Sequence, residues 1–373
     1  MGDLGADIIK VERPGTGDET RRWGPPFADN GTAAYFYSCN RNRRSLTLDL
    51  KDIEDQRFAQ ELAVDADVVV ENYLPGATER MGIDAPRLRA ANPRLVYCTI
   101  SGYGSKSRRA SWPAVDFIIQ AYAGILSITG PRREERVKAG VPVADLAAGL
   151  FATIGVLAAL RTAQQTGVGT HVEVSLADAC VALLVNQGMN WLIGGLNPEP
   201  AGNTHPSIAP YQAVYAADRE LALAATSDEQ FRRLCEVIGR TELSEDVRFR
   251  TNADRVEHRR ELEALLEERL SSGQAADWVA RLNRAGVAAA VVNTVGEALQ
   301  DPDTLNSLVT SASDGESEFP QIRTPIRFDG ALLHVRSAPP ALGAHDGQIR
   351  DACATGSGGR SGLGRRNAHE GES

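Results

Sequence analysis

"SLTLDLKDIEDQRFAQELAVDADVVVEN", Ser45 to Asn72, reads as strand, helix, strand. The first six residues and the last six, Asp67–Asn72, carry the strand pattern, and "KDIEDQRFAQELAVDA" between them reads as a helix. Two strands joined through a helix lie parallel in one sheet. The pattern extends in both directions. "DIIKVE" (Asp7–Glu12) is a further buried strand, "YLPGATERMG" (Tyr73–Gly82) a turn and short helix, and "RLVYCTISGYG" (Arg94–Gly104) the next strand with its exit loop. Such alternation predicts an α/β fold with a doubly wound parallel sheet. Ligands of such sheets sit at the carboxyl ends of the strands.

Beyond Asp116 the chain turns helical: "DFIIQAYAGILSI", then Asp145–Ala163, then Leu176–Ile193, with "GTHVEVS" as a short strand between the last two. The polar, Pro-containing stretch Ala201–Gln212 reads as a linker. A smaller α+β unit follows. It has strands at "AVYAAD", "ELALAAT" and "AAAVVNT", a helix "DEQFRRLCEVIG", and an amphipathic helix presenting Leu262, Leu265, Leu266 and Leu270 on one face. "TPIRFDGALLHV" reads as a return to the first domain. The expected division is a large domain over 1–200, linker and small domain over 201–305, a return over 306–345, and a disordered Gly/Ser/Arg-rich tail over 346–373. "MGDLGAD" reads like the end of a helix stopped at Gly5.

The 373 residues are 42% apolar and 24% charged, a soluble globular mix with a net charge of −9. That charge argues against nucleic acid or an anionic membrane as a bulk partner. Five scattered cysteines without C-x-x-C spacing read as reduced thiols of a cytoplasmic protein, and the dispersed histidines predict no metal site. Asp3, Asp7 and Lys10 interrupt any signal-like apolar run. The greasiest segment, "GVPVADLAAGLFATIGVLAAL" (Gly140–Leu160), has fifteen residues between Asp145 and Arg161, short of the ~20 a membrane span needs.

Asp145 is the single charge in that segment. It can be a helix N-cap, accepting orphan amide hydrogen bonds. It can also be a nucleophile, kept ionised by the helix terminus and poorly hydrated among apolar neighbours. Both readings can hold together. "NRNRR" (Asn40–Arg44) is either a solvated loop or a phosphate clamp, and Arg13, directly after a strand, is better placed for a ligand. "SGYGSKS" (Ser101–Ser107) lacks the third glycine of a dinucleotide fingerprint and reads as a turn.

Six segments taken together resemble the class III CoA transferases: "DLGADIIKVERPGTGDETR" (3–21), "NRNRRSLTLDLK" (40–51), "DVVVENYLPGATERMG" (67–82), "VDFIIQAYAG" (115–124), Gly140–Leu160 and "GVGTHVEVSLADA" (167–179). The resemblance implies a Rossmann-like large domain built from both chain ends, a small domain, and an interlocked homodimer. It implies coenzyme A as substrate rather than a prosthetic group, and an acyl-CoA and a carboxylic acid as partners. It implies Asp145 as the nucleophile, passing through an aspartyl anhydride and an aspartyl-CoA thioester. It places CoA against Arg13, against Leu48, Asp49, Leu50 and Lys51, against Asn72, Tyr73, Leu74 and Arg80, and against Asp116. Arg13, Lys51 and Arg80 would meet phosphates.

The chain departs from the family pattern in four places. The α-methylacyl-CoA racemase branch has a His where this chain has Val115, which argues against racemisation as the alternative activity. A glycine-rich loop is absent between Gly194 and Pro210, which argues against oxalate as acceptor. Family members carry a strand and helix upstream of "DLGA", so a CoA-binding remnant without turnover is a second alternative. The closing helix expected after "ALGAH" is poorly encoded by "DGQIRDACATG".

Overall fold

The computed structural model describes residues 1–315 and 317–355. Contacts divide the chain into two units. The first comprises 1–119, 143–183 and the residues from 299 onward; the second comprises 120–142 and 184–298. Residues 184–200 thus group with the smaller unit by contacts.

In the first unit, β1 (Ile9–Glu12) pairs in parallel with β2 (Arg44–Thr47), and α1 (Ala34–Cys39) lies between them in sequence. A short helical turn at Gly2–Leu4 ends at Gly5, whose φ of 97° is the left-handed stop expected from the sequence. α2 (Ile53–Asp65) starts where Asp52 accepts from the amides of Glu54 and Asp55, an N-cap that the sequence "KDIED" encodes. β3 (Val68–Glu71) follows, then α3 (Ala77–Met81), α4 (Ala85–Ala91) and β4 (Val96–Ser101).

After β4 come α5 (Asp116–Tyr122), the short α6 (Ile125–Ile128), α7 (Val143–Thr166) and β5 (His171–Ser175). The strands β3, β4 and β5 form a parallel group. Among the described residues no ladder joins β1 to β3, so the parallel strands form two hydrogen-bonded groups, β2–β1 and β3–β4–β5.

α7 packs on β4 and β5 through small residues. Ala152, Val156, Ala159 and Ala163 are buried with Val96 and Cys98. Gly155 shows how close the approach is: a Cβ there would lie 2.9 Å from Val172 Cγ1. The helix is longer than the fifteen-residue apolar core read from the sequence. With 24 residues it meets the length and composition of a membrane span, and it carries Asp145 and Arg161 within its turns. Its outer face exposes Leu146, Leu150, Phe151, Ile154 and Leu157 by 42–67%.

The helix expected over Leu176–Ile193 is broken. α8 (Leu176–Ala182) and α9 (Val185–Gly194) are separate helices, and Val185 at the start of α9 takes a φ of 36°. An apolar run without Gly or Pro at the break gives no local sign of this.

The second unit holds an antiparallel sheet of β6 (Tyr211–Tyr215), β7 (Glu220–Ala224) and β8 (Ala288–Val291). The stretch read as a linker, Ala201–Gln212, therefore ends inside β6, at Tyr211 and Gln212. Its core gathers Leu221, Leu223, Phe231, Leu234, Ile238 and Trp278 with Leu262, Leu266 and Leu270 of the helix Arg259–Leu270. Leu265 is only partly buried against it.

The returning segment is tied to the first unit: Asn42 N donates to the carbonyl of Ser337, and Arg336 Nη2 to those of Gly2 and Ala6. Part of the tail expected to be disordered is ordered. Asp346–Ala354 is a helix whose Ile349 is fully buried against Leu46 and Leu48. Asp346 Oδ1 also accepts from Thr47 N at 2.8 Å. One buried isoleucine and that tertiary contact hold a segment of weak local helical signal. The remainder of the tail reading, 356–373, lies outside the described residues.

Candidate active site

Asp145 is the third residue of α7, so it is not the N-cap. The preceding residue is Pro142, whose side chain offers no acceptor. The acceptor comes from α5 instead: Asp116 Oδ1 takes the Ala144 amide at 2.8 Å. Asp116 thus does for α7 what a local Ser or Asp does for most helices.

The Asp145 carboxylate makes no hydrogen bond among the described residues and reaches solvent. Enough protein surrounds it that burial pushes its pKa above the usual carboxylate range, and the negative charge of Asp116 pushes it further. A helix terminus acts in the opposite sense, favouring the anion.

Two further groups sense the same charges. Burial raises the Cys180 thiol on α8, and Asp116 and Asp145 add to it. Burial also raises the Tyr35 phenol on α1, with Asp145 the first of its charged neighbours. Trp23 meets Tyr35 edge to face, ring centroids 5.3 Å apart. Trp23 and Tyr35 are 52% and 40% exposed. The sequence reading missed Tyr35. The helix "AYFYSC" carries no local mark of a charge 110 positions away.

The residues expected to meet CoA lie at the carboxyl ends of the parallel strands. Arg13 follows β1 and is exposed. Asn72, Tyr73 and Leu74 follow β3 and are exposed, and Arg80 ends α3 with its guanidinium against Gly76. Burial raises the Tyr73 phenol, Glu71 adds to it, and Arg13 opposes it, so the exits of β1 and β3 share one electrostatic neighbourhood.

The stretch after β2 divides. The Leu48 side chain is core, 2% exposed, so it has only backbone to offer. Asp49 Oδ1 accepts from Lys51 N at 3.0 Å, and the Asp49 amide donates to Asp55. Leu50 is half-buried with its carbonyl bound by Gln56, while Lys51 is exposed. Asp116, also expected to meet CoA, accepts the amide of Ala144, the residue before Asp145.

The "NRNRR" cluster is neither solvated nor open. Arg41 pairs with Asp3 and Arg44 with Asp7, each at 2.6 Å, and Arg43 donates to Asn40. In "SGYGSKS" the Gly104 amide donates to Ser101 Oγ at 3.0 Å, as a capped turn does.

These features sit in a chain whose residues 1–346 match the profile of CoA-transferase family III. The chain belongs to that family. Succinate–glutarate CoA-transferase of Agrobacterium fabrum is 38% identical over 357 residues, covering 94% of this chain and 89% of that protein. Acetyl-CoA:oxalate CoA-transferase of Acetobacter aceti is 39% identical over 312 residues, covering 83% and 80%. The crystal structure of a CAIB/BAIF family protein from Brucella suis superposes with a TM-score of 0.84 at 41% identity, covering 94% and 93%. The α/β fold with parallel strands is that of the CoA-transferase family, and transfer of CoA is the activity class of these relatives.

Proposed function

We propose that this family III chain moves CoA from an acyl-CoA to a carboxylic acid with Asp145 as nucleophile. The observation that carries the proposal is the Asp145 carboxylate: in the first turn of α7, next to the amide that Asp116 caps, and without a hydrogen bond among the described residues. A carboxylate deprived of hydrogen bonds holds its electron pairs less tightly and attacks more readily.

In the first step a carboxylate oxygen attacks the thioester carbonyl carbon, the C–S bond breaks, and CoA leaves as thiolate. An aspartyl–acyl anhydride remains. The thiolate then attacks the aspartyl carbonyl and releases the donor as its free carboxylate, leaving an aspartyl-CoA thioester. The acceptor carboxylate attacks that thioester and expels CoA thiolate. The thiolate finally takes the acceptor's acyl group from the second anhydride and frees Asp145. Each step exchanges one acyl bond, so no oxidant or net proton is needed.

Arg13, Lys51 and Arg80 are the cations available to CoA phosphates, and Asn72–Leu74 with the backbone of 48–51 frame the nucleotide. The relatives' names point to dicarboxylic acids as the acid class. Because a relative named for oxalate is 39% identical, oxalate belongs in the acceptor panel. We also infer a homodimer acting in the cytoplasm, away from membranes. The apolar row on α7, from Leu146 to Leu157, supports it, since a second copy would cover a face that water now meets.

The test is a mass-spectrometric matrix of acyl-CoA donors against mono- and dicarboxylic acceptors. A new acyl-CoA for at least one pair is expected, together with a hydroxylamine-trapped adduct on the peptide carrying Asp145. An adduct on another residue would remove Asp145 from the mechanism.

A further inference from the structure

We propose that Asp116 is a positioning residue for Asp145: its carboxylate sets the first turn of α7 from outside that helix, and so aims the nucleophile. The inference rests on Asp145 being the nucleophile.

The need arises in the sequence. α7 begins after Gly140-Val141-Pro142, and none of these side chains can accept a hydrogen bond. The amides of the first helical turn have no partner within the helix. Asp116, 28 positions earlier, supplies one through Oδ1 at 2.8 Å from the Ala144 amide. One turn further along α5, the fully buried Gln120 takes the Ala139 amide at 2.9 Å. α5 therefore holds the backbone entering α7 at two points. Asp145 is the residue next to Ala144, so the direction of its Cα–Cβ bond follows the peptide that Asp116 binds.

A local cap such as a serine at position 142 would satisfy the same amide without bringing a charge. Asp116 brings one, and it acts on Asp145 through space, raising the nucleophile's pKa. Tyr35 on α1 and Cys180 on α8 also sense the charge of Asp145, and burial raises the pKa of both. Asp116 is thus the neighbour that enters this cluster as an anion and a cap together.

The two contributions separate by substitution. Asp116→Asn keeps a carbonyl oxygen able to accept the Ala144 amide and removes the charge. Asp116→Ala removes both. With the best donor and acceptor pair, Asp116→Ala should lower kcat roughly 10- to 100-fold, as misplacement of a reacting group by about 1 Å does. The KM for acyl-CoA should change less than kcat, as loss of a contact that aims the nucleophile predicts. Asp116→Asn should restore most of kcat and move the acid limb of the kcat profile to lower pH, since Asp145 loses an anionic neighbour.

Amide hydrogen exchange over the peptide spanning Ala144 supplies a readout without turnover: faster exchange in Asp116→Ala, near wild type in Asp116→Asn. Unchanged kcat and exchange in Asp116→Ala would overturn the proposal, as would a KM-only defect. If the exchange pattern holds but wild type forms no adduct on Asp145 with any acyl-CoA, the nucleophile reading has failed, and Asp116 is reduced to a structural cap.

Discussion

Arg21 grips Glu12 through two hydrogen bonds, Nε to Oε2 at 2.8 Å and Nη2 to Oε1 at 2.7 Å, with both side chains buried. The guanidinium also donates to the carbonyl of Pro340 and lies 3.8 Å from the Phe36 ring centroid. This pair joins the exit of β1, where Arg13 stands, to the returning C-terminal segment.

Breaking the pair by Arg21→Met should destabilise the protein by about 3–5 kcal/mol, because it strands a buried carboxylate. Glu12→Gln with Arg21→Met should recover a large part of that. Burial alone would raise the Glu12 carboxyl, but bonds from Arg21, Ser45 and the Asp18 amide outweigh it and hold the pKa below the ordinary value. A carboxylate with a depressed native pKa adds stability above its unfolded pKa and loses it as pH falls through the native one. Urea midpoints should therefore fall in wild type below about pH 4.5 and change less in the double variant. Equal pH slopes in both would show that Glu12 is not the acid-sensitive group.

Asp145→Asn should abolish CoA transfer and adduct formation while CoA still binds. The same change should leave thermal stability equal or higher at neutral pH. The native pKa of Asp145 is raised, so its ionisation costs native-state free energy as pH rises above the unfolded value, and an amide carries no such cost. Calorimetry showing a clear loss of Tm would instead give Asp145 a structural role.

Arg13→Ala should weaken CoA more than pantetheine. A charge-assisted contact to phosphate is worth roughly 1.5–3 kcal/mol, or about ten- to a hundredfold in Kd. Isothermal titration with both ligands decides it, and equal losses would assign Arg13 to structure.

Wild type should scatter as a dimer, and Leu150→Glu with Ile154→Glu should yield a monomer. Leu150 and Ile154 are 67% and 62% exposed on α7, and two buried charges across a self-complementary interface repel. Wild type that scatters as a monomer and floats with liposomes would show that the row meets lipid instead.

Strand and helix alternation from β1 to β4 was legible because each element writes its own period into a few adjacent residues. Local chemistry also marked Gly5 as a helix stop, and a lone charge in an apolar run drew attention to Asp145. What needed the tertiary structure was everything set by residues far apart in the chain. Nothing near Ala144 says that its amide is taken by Asp116, and nothing in "AYF" says that the Tyr35 phenol senses the charge of Asp145. The helix at Asp346–Ala354 depends on a pocket for Ile349 beside Leu46 and Leu48, three hundred residues upstream. The break between α8 and α9 has no Gly or Pro to announce it. Sequence periodicity reports which face of an element is apolar, whereas pKa shifts and distant caps depend on which charges and acceptors other elements bring within a few ångströms, and only the folded chain decides that.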